Sequence, residues 1–530
     1  MGEKSTRRRF LRTLLGAPAA VAALQACSSA PGPPVAAAPG GPAAPDTAGK
    51  ALLDCSKRKS WSNYAGTQTA EPLALCAPAS SGAAASIVAE TGARRLSVKA
   101  VGSGHAWSDV ALTDGVMVLP DNLRSVLPLE REILKPSAPP LLFRVESGIT
   151  LRQLNEALAA AGLGLINMGG YDGQTIAGAT STGTHGSGIE FGPLCDVIES
   201  LEIIPADGRL YRIEPANGIT DPAAFARRHP DVQLLQDDKT FYSVIVGIGC
   251  MGVITSVVLR VTEKYWLTER RWTSPWPEVR AALEKGDVIR EHRHYEVLLN
   301  PHPLDGVNLS LITTRDPAVP PIRESPFLER NFLVALGSLL PPGVLEPEPD
   351  KAPQQLNLAL KLLVREPYTR VSYEVLNIGA PNNIQAVSAE LAFPMAGNRY
   401  LDAIDRFLQL AEIQRATGDR CHSSPVSLRF VKASKAYLAP QSGRDTCMLE
   451  IIFGKGTKGA NEMIYFYETE LYKYGARPHW GQLNYVTGGH RVLRKMYPRY
   501  DSWLETYKRF NTNHLFDSAF AKRVGIADYE

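Results

Sequence analysis

An α+β protein organised in two successive parts is what this sequence predicts, on three observations. Between 60 and 265, short alternating runs of strand character trade places with stretches of helical spacing. Two loops rich in glycine and hydroxyl side chains, 102–109 and 169–188, lie inside that part, far from each other along the chain. Beyond 265 the chain behaves as a second domain. With 530 residues there is room for two or three domains, and 44% hydrophobic with 21% charged residues is an ordinary globular make-up that can bury a sizeable core.

Taken in order, the chain begins with an address. Thr6-Arg7-Arg8-Arg9-Phe10-Leu11-Arg12 is similar to a twin-arginine export signal, and the apolar run 14–26 is too short to span a bilayer. It ends Leu24-Gln25-Ala26-Cys27, which resembles a bacterial lipobox and makes Cys27 the expected lipid anchor of an exported protein, with an ordinary cleaved signal as the alternative. The segment 28–59, almost only Ser, Ala, Pro and Gly as far as Gly49, reads as a tether with too little apolar bulk to fold. A twin-arginine route carries proteins that fold before crossing, typically around a cofactor. Removing the first 26 residues takes five basic side chains from 57 and one acidic from 54, leaving 52 against 53, so nothing argues for nucleic acid as a partner. The six cysteines after Cys27 have no regular spacing, so no metal site is expected, and whether Cys55 pairs with Cys76 stays open.

Stretches 81–91 and 151–161 read as helices, the second from Leu151, Leu154 and Leu158 at helical spacing, with 144–148 as the strand before it. The run 95–101 alternates like a strand and enters Gly102-Ser103-Gly104-His105-Ala106-Trp107-Ser108-Asp109. Stretch 169–188 holds seven glycines and seven hydroxyl side chains in twenty residues, a composition not expected to fill a core. Glycine lets the backbone approach a ligand, and clustered N–H and hydroxyl groups suit a pyrophosphate's oxygens. The two loops together read as a clamp along one elongated dinucleotide; a glycine-rich surface loop is the alternative. Stretches 197–204 and 210–213 flank a hairpin turn at Asp207-Gly208. Gly247-Ile248-Gly249-Cys250-Met251-Gly252 matches G-x-G-x-x-G, with 242–246 able to form a strand before it. The β-branched run 253–261 follows instead of the helix whose N-terminus would meet a pyrophosphate, so NAD binding at this motif is rejected.

Trp61-Ser62-Asn63-Tyr64-Ala65-Gly66, the loop 101–109, the 182–188 run and 249–260 together resemble the FAD-binding half of the vanillyl-alcohol-oxidase (PCMH-type FAD-binding) superfamily, in its aldonolactone and alditol oxidase branch. Further on, 389–394, 426–440, Arg444-Asp445-Thr446-Cys447, Arg477-Pro478-His479-Trp480-Gly481-Gln482 and 497–500 resemble that branch's later segments. The resemblance implies a two-subdomain FAD-binding domain over 60–265, an α+β substrate domain with a large antiparallel sheet over 266–482, and a closing segment 483–530 that returns to the FAD domain. It implies FAD contacts from Val101, Gly102, Ser103, Gly104, Ala106 and Trp107 of the first loop, and from Gly178, Thr182, Gly183, Thr184, His185, Gly186 and Ser187 of the second. Gly252, Val253, Ile254 and His479 complete that set, and His105 is the residue expected to carry FAD covalently. The Pro-rich 320–353 stretch, with the apolar patch 332–336, reads as a branch-specific insertion, with a partner surface as the alternative.

Two departures concern chemistry. The branch usually has Glu and Arg at i and i+2 of the strand at 426–430, on one face; here these are Ser427 and Arg429. The His-Trp motif usually ends in Lys and here ends in Gln482. Glu450, the one carboxylate in an apolar strand, is a candidate substitute if it faces Arg429, although alternation alone leaves its face open. Arg429, Gln482, Glu450 and Ser427 are therefore the candidate catalytic set. The expected activity is oxidation of a CH–OH group in a small alcohol or lactone, with oxygen or a membrane acceptor taking the electrons. The neutral residues at 427 and 482 suggest a substrate less polar than a sugar lactone, a sterol among the alternatives, or a flavin-binding lipoprotein whose catalytic pair has decayed.

Overall fold

The computed structural model of the chain describes Leu52, Cys55, Ser56 and residues 60–326, 348–379, 385–417 and 420–527. The export signal, Cys27, the 28–49 tether and the 332–336 patch lie outside the described residues. Cys55 and Cys76 form a disulfide, which answers the pairing question left open by the sequence.

The first part is built on two sheets. Ala74–Cys76, Val116–Val118 and Val98–Ala100 form a parallel three-stranded sheet. The helix Ser81–Ala93, whose Ser80 side chain caps Ala83 N, shares a core with it through Ala84, Ile87 and Val88. The second sheet has six strands, with Val253–Arg260 between Ile198–Ile204 and Leu142–Glu146. The hairpin at Asp207-Gly208 is antiparallel as its turn chemistry predicts, pairing Tyr211 with Ile203. Helix Leu151–Ala160 carries a capping box between Thr150 and Gln153 and buries Leu151, Leu154 and Leu158. Two expectations fail locally. The alternation at 95–101 yields only a three-residue strand, because Arg95 at φ 56 ends the preceding helix in a left-handed turn. Stretch 242–246 is no strand: Tyr242 lies in helix Asp238–Val244, started by the Asp237 side chain bonding Thr240 N.

The second part is one eight-stranded sheet, antiparallel throughout. Its order is Tyr368–Val371, Trp266–Pro275, Leu309–Pro317, His294–Leu299, Val426–Val431, Thr446–Gly454, Ala386–Pro394 and Arg477–Pro478. Strand alternation splits its residues. Val426, Leu428 and Phe430, with Leu449, Ile451 and Phe453, pack against helices Arg399–Ala416 and Ala460–Leu471. Residues between them face the other way, toward the first part. The C-terminal helices Tyr500–Phe510 and Ala519–Val524 return to the first part, where Trp503, Tyr507 and Phe520 join a core with Leu201 and Val257. No helix among the described residues is long and apolar enough to cross a membrane.

Candidate active site

The two glycine loops come together. Residues 99–107 and most of 174–184 and 247–254, with His479, Gly481 and Gln482 from the second part, supply lining of one elongated cleft with about 1200 Å³ of empty space including its mouth. Trp107 N donates to Gly481 O at 2.8 Å and Ser108 Oγ to Trp480 O at 2.6 Å, so the first loop is tied directly to the His-Trp segment. Gly102 is required by contact: a Cβ there would sit 2.1 Å from Thr175 Oγ1 on the second loop.

Among the residues expected at the cofactor, Val101, Gly102, Ser103, Gly104, His105, Ala106, Trp107, Gly178, Thr182, Thr184, Gly252, Val253, Ile254 and His479 line this cleft. Gly183, His185, Gly186 and Ser187 do not. After Thr184 the chain turns behind the wall, and 183–189 are all buried, contrary to the expectation that so polar a run stays out of the core. The glycines there serve backbone packing: a Cβ on Gly186 would lie 2.4 Å from both Asn167 Oδ1 and Met168 O. Ser187 Oγ is committed to Tyr295 O at 2.7 Å. Gly247 to Gly252 also reach the cleft, leading into a strand and not a helix.

Four buried polar atoms on the lining have no partner among the described residues: His105 Nδ1, Ser147 Oγ, Thr184 Oγ1 and Gln482 Oε1. Buried polar groups are nearly always bonded, so their presence along one cleft fits a long polar ligand that completes them. His105 stacks on Tyr171 at 4.0 Å and 13°, with Tyr64 at 4.6 Å and Trp107 at 5.0 Å. Burial among these rings lowers its pKa to about 4, so the imidazole is neutral at neutral pH.

The inner face of the eight-stranded sheet adjoins this end. Register places Glu390 opposite Glu450 and Glu450 opposite Ser427; one row further on, Arg429 is opposite Glu296. Arg429 Nη1 lies 3.1 Å from Glu450 Oε2 and its Nε 3.6 Å from Glu296 Oε1. The series continues through Arg315, 2.8 Å from both Glu296 and Glu269, to Arg271 at 3.1 Å from Glu269. Gln482 Nε2 donates to Glu450 Oε1 at 3.3 Å. Of the candidate catalytic residues, Gln482 lines the cleft, whereas Arg429, Glu450 and Ser427 stand behind it on the sheet. The open question about Glu450 closes: it faces Arg429, from the strand beside the one where the branch usually carries its Glu. Burial raises the Glu450 pKa, Glu390 adds to the rise, and Arg429 opposes it.

Glu390 is the site residue that sequence reasoning missed, although it is a lone carboxylate in an apolar strand just as Glu450 is. His185 Nδ1 donates to Gly186 O at 2.8 Å, and its Nε2 lies 3.1 Å from Glu390 Oε2. A carbonyl only accepts, so Nδ1 carries a proton; a second proton on Nε2 makes the contact with Glu390 favourable, giving a buried imidazolium–carboxylate pair. Burial opposes charge on both partners, but their mutual attraction outweighs it, raising His185 and lowering Glu390. Potential ligand atoms of His185, Glu390 and His479 lie within 4.8 Å of one another, yet an imidazolium has no lone pair for a metal. His479 accepts from Gly481 N on Nδ1 at 3.1 Å, and burial lowers its pKa to about 4. It therefore holds its proton on Nε2.

Comparison with known proteins decides the family. Residues 72–214 match an FAD binding domain, and residues 257–524, half the chain, match the D-arabinono-1,4-lactone oxidase family. The chain belongs to the D-arabinono-1,4-lactone oxidase family. Its relatives include L-gulono-1,4-lactone dehydrogenase of Mycobacterium tuberculosis, 27% identical over 88% of this chain and 98% of that protein. L-gulonolactone oxidase of Mus musculus is 24% identical over 88% and 98%, and alditol oxidase of a Streptomyces species 24% identical over 87% and 97%. Among solved structures, cholesterol oxidase from B. sterolicum superposes with a TM-score of 0.69 at 15% identity, covering 92% of this chain and 100% of that one, a likeness of fold alone. As a member of the lactone oxidase family the protein is an FAD-dependent oxidoreductase acting on CH–OH donors, and its first part is a PCMH-type FAD-binding domain.

Proposed function

We propose that this protein oxidises a secondary CH–OH group of a polyhydroxylated small molecule of the aldonolactone or polyol class, with Arg429, Glu450 and Gln482 as the residues that hold and deprotonate it. The observation that carries this is the Arg429–Glu450–Gln482 cluster. Glu450, directly opposite Ser427, supplies the carboxylate that the family pattern puts at 427, so one of the two premises for a less polar substrate falls away and the decayed-site reading loses support. Bound FAD supplies the hydride acceptor. Arg429 orients a substrate oxygen, and Glu450, when ionised, takes the hydroxyl proton. Because burial raises Glu450, the rate of flavin reduction in anaerobic stopped flow is expected to rise with pH through that raised value. Glu450→Gln should lose this rising limb; an unchanged profile would remove Glu450 from the mechanism. A panel of aldonolactones, polyols, sterols and simple secondary alcohols, scored by anaerobic bleaching, tests the substrate class.

His105 is proposed to carry the cofactor covalently, supported by its neutral, unpartnered and buried Nδ1. Acid precipitation should leave yellow colour in the pellet for the wild type and release it for His105→Ala. Export by the twin-arginine route with an anchor at Cys27 is proposed on the motifs at 6–12 and 24–27, and the Cys55–Cys76 disulfide, a bond of oxidising compartments, fits an exported chain. Membrane fractionation of wild type against Cys27→Ala checks it. Electrons then leave to oxygen or to a membrane acceptor.

A further inference from the structure

Lys99 is the one residue with a formal charge among the described residues lining the cleft. It sits in strand Val98–Ala100, is only 2% exposed, and runs beside Met117 and Val101 in an apolar layer. Its ammonium donates to Ile248 O and Gly249 O, each at 3.2 Å. Gly249 lets that loop close on it, since a Cβ there would come within 3.0 Å of Nζ. Two of its three protons are thus used on neutral carbonyls, and no carboxylate of the described residues pairs with it. A buried ammonium without a countercharge is strongly unfavourable, and carbonyl dipoles replace only part of the lost hydration.

The ligand of this cleft brings the missing charge. The diphosphate of FAD carries two negative charges into a site whose other donors are backbone N–H, hydroxyl, amide and neutral imidazole groups, which bond but do not neutralise. We infer that Lys99 is the countercharge for the cofactor's diphosphate, and that the same ammonium, through Ile248 and Gly249, fastens the 247–252 loop to the occupied cleft. The inference rests on the cleft being the FAD site. It makes an unusual demand: Lys99 should weaken the empty protein and strengthen the loaded one.

The test uses the full chain in a His105→Ala background, so that cofactor can be removed, and compares Lys99, Lys99→Arg and Lys99→Met. Calorimetric titration with FAD, ADP and riboflavin is combined with thermal melts of the ligand-free and ADP-bound forms. Lys99→Met should weaken ADP and FAD about 100-fold, the scale for removing one partner of a buried charge pair, and leave riboflavin unchanged. It should also raise the melting temperature of the ligand-free protein while shrinking the rise that ADP produces. Lys99→Arg should keep most of the ADP affinity. Unchanged ADP binding in Lys99→Met overturns the inference. So does a lower ligand-free melting temperature with equal losses on riboflavin and ADP, which would make Lys99 a structural pin. If the background protein binds none of the three ligands, the assignment of the cleft to FAD fails first, and the inference with it.

Discussion

The dinucleotide cleft and the inner face of the eight-stranded sheet meet at His479 and Gln482 but are built by different means. The cleft is walled by glycine-rich backbone, hydroxyl and apolar side chains, with Lys99 the single formal charge among the described residues that line it. The sheet face carries Glu450, Arg429, Glu296, Arg315, Glu269 and Arg271 as a chain of alternating charges, with Glu390 beside Glu450 but paired to His185. A cofactor that stays bound can be held by many weak neutral bonds along its length. A substrate that must give up a proton needs charges whose strengths are set by neighbours, and in a buried sheet only opposite charges alternating across strands make that tolerable.

The contrast can be broken most forcefully at Glu390. Glu390→Ala leaves the His185 imidazolium unpaired and should cost about 3 kcal/mol of unfolding free energy in urea titration, as for other broken buried pairs. Its pH dependence has a defined sign. Glu390 lies below its ordinary value of 4.5, so its contribution is present above 4.5 and lost as pH falls through the lowered value. His185 lies above its ordinary 6.5, so its contribution is present below 6.5 and lost as pH rises through the raised value. The pair therefore stabilises most between 4.5 and 6.5, and the Glu390→Ala deficit should be greatest there.

Arg429→Ala should lower anaerobic flavin reduction by about 100-fold, the scale for losing one electrostatic contact to the reacting group, with FAD content unchanged. Equal losses of FAD and activity would show that the sheet face also holds the cofactor, and the contrast would collapse. Gly186→Ala should cost about 1–3 kcal/mol through overpacking against Met168 O and Asn167, with FAD affinity in the surviving folded protein unaltered. Loss of FAD affinity there would return the 183–187 stretch to the cofactor site.

The sequence alone determined what is local. Glycine and hydroxyl clusters at 102–109 and 169–188 announced a phosphate-type clamp because backbone approach and φ freedom belong to the residues themselves, although the last residues of the second cluster are buried behind the wall. The strand after Gly252 ruled out a Rossmann turn for the same local reason. Helices at 81 and 151 were legible in the sequence, the second from its leucine spacing, whereas 242–246 was misread because its apolar run suits either state until the Asp237 cap is weighed. What only the tertiary structure decided is non-local. Gly102 and Gly186 look alike in sequence, yet one meets Thr175 across the cleft and the other is sealed under Asn167 and Met168. Glu390 and Glu450 each stand alone in an apolar strand, and nothing in either strand says which partner it meets. That depends on register between strands some sixty residues apart, which a one-residue slip would turn to the opposite face.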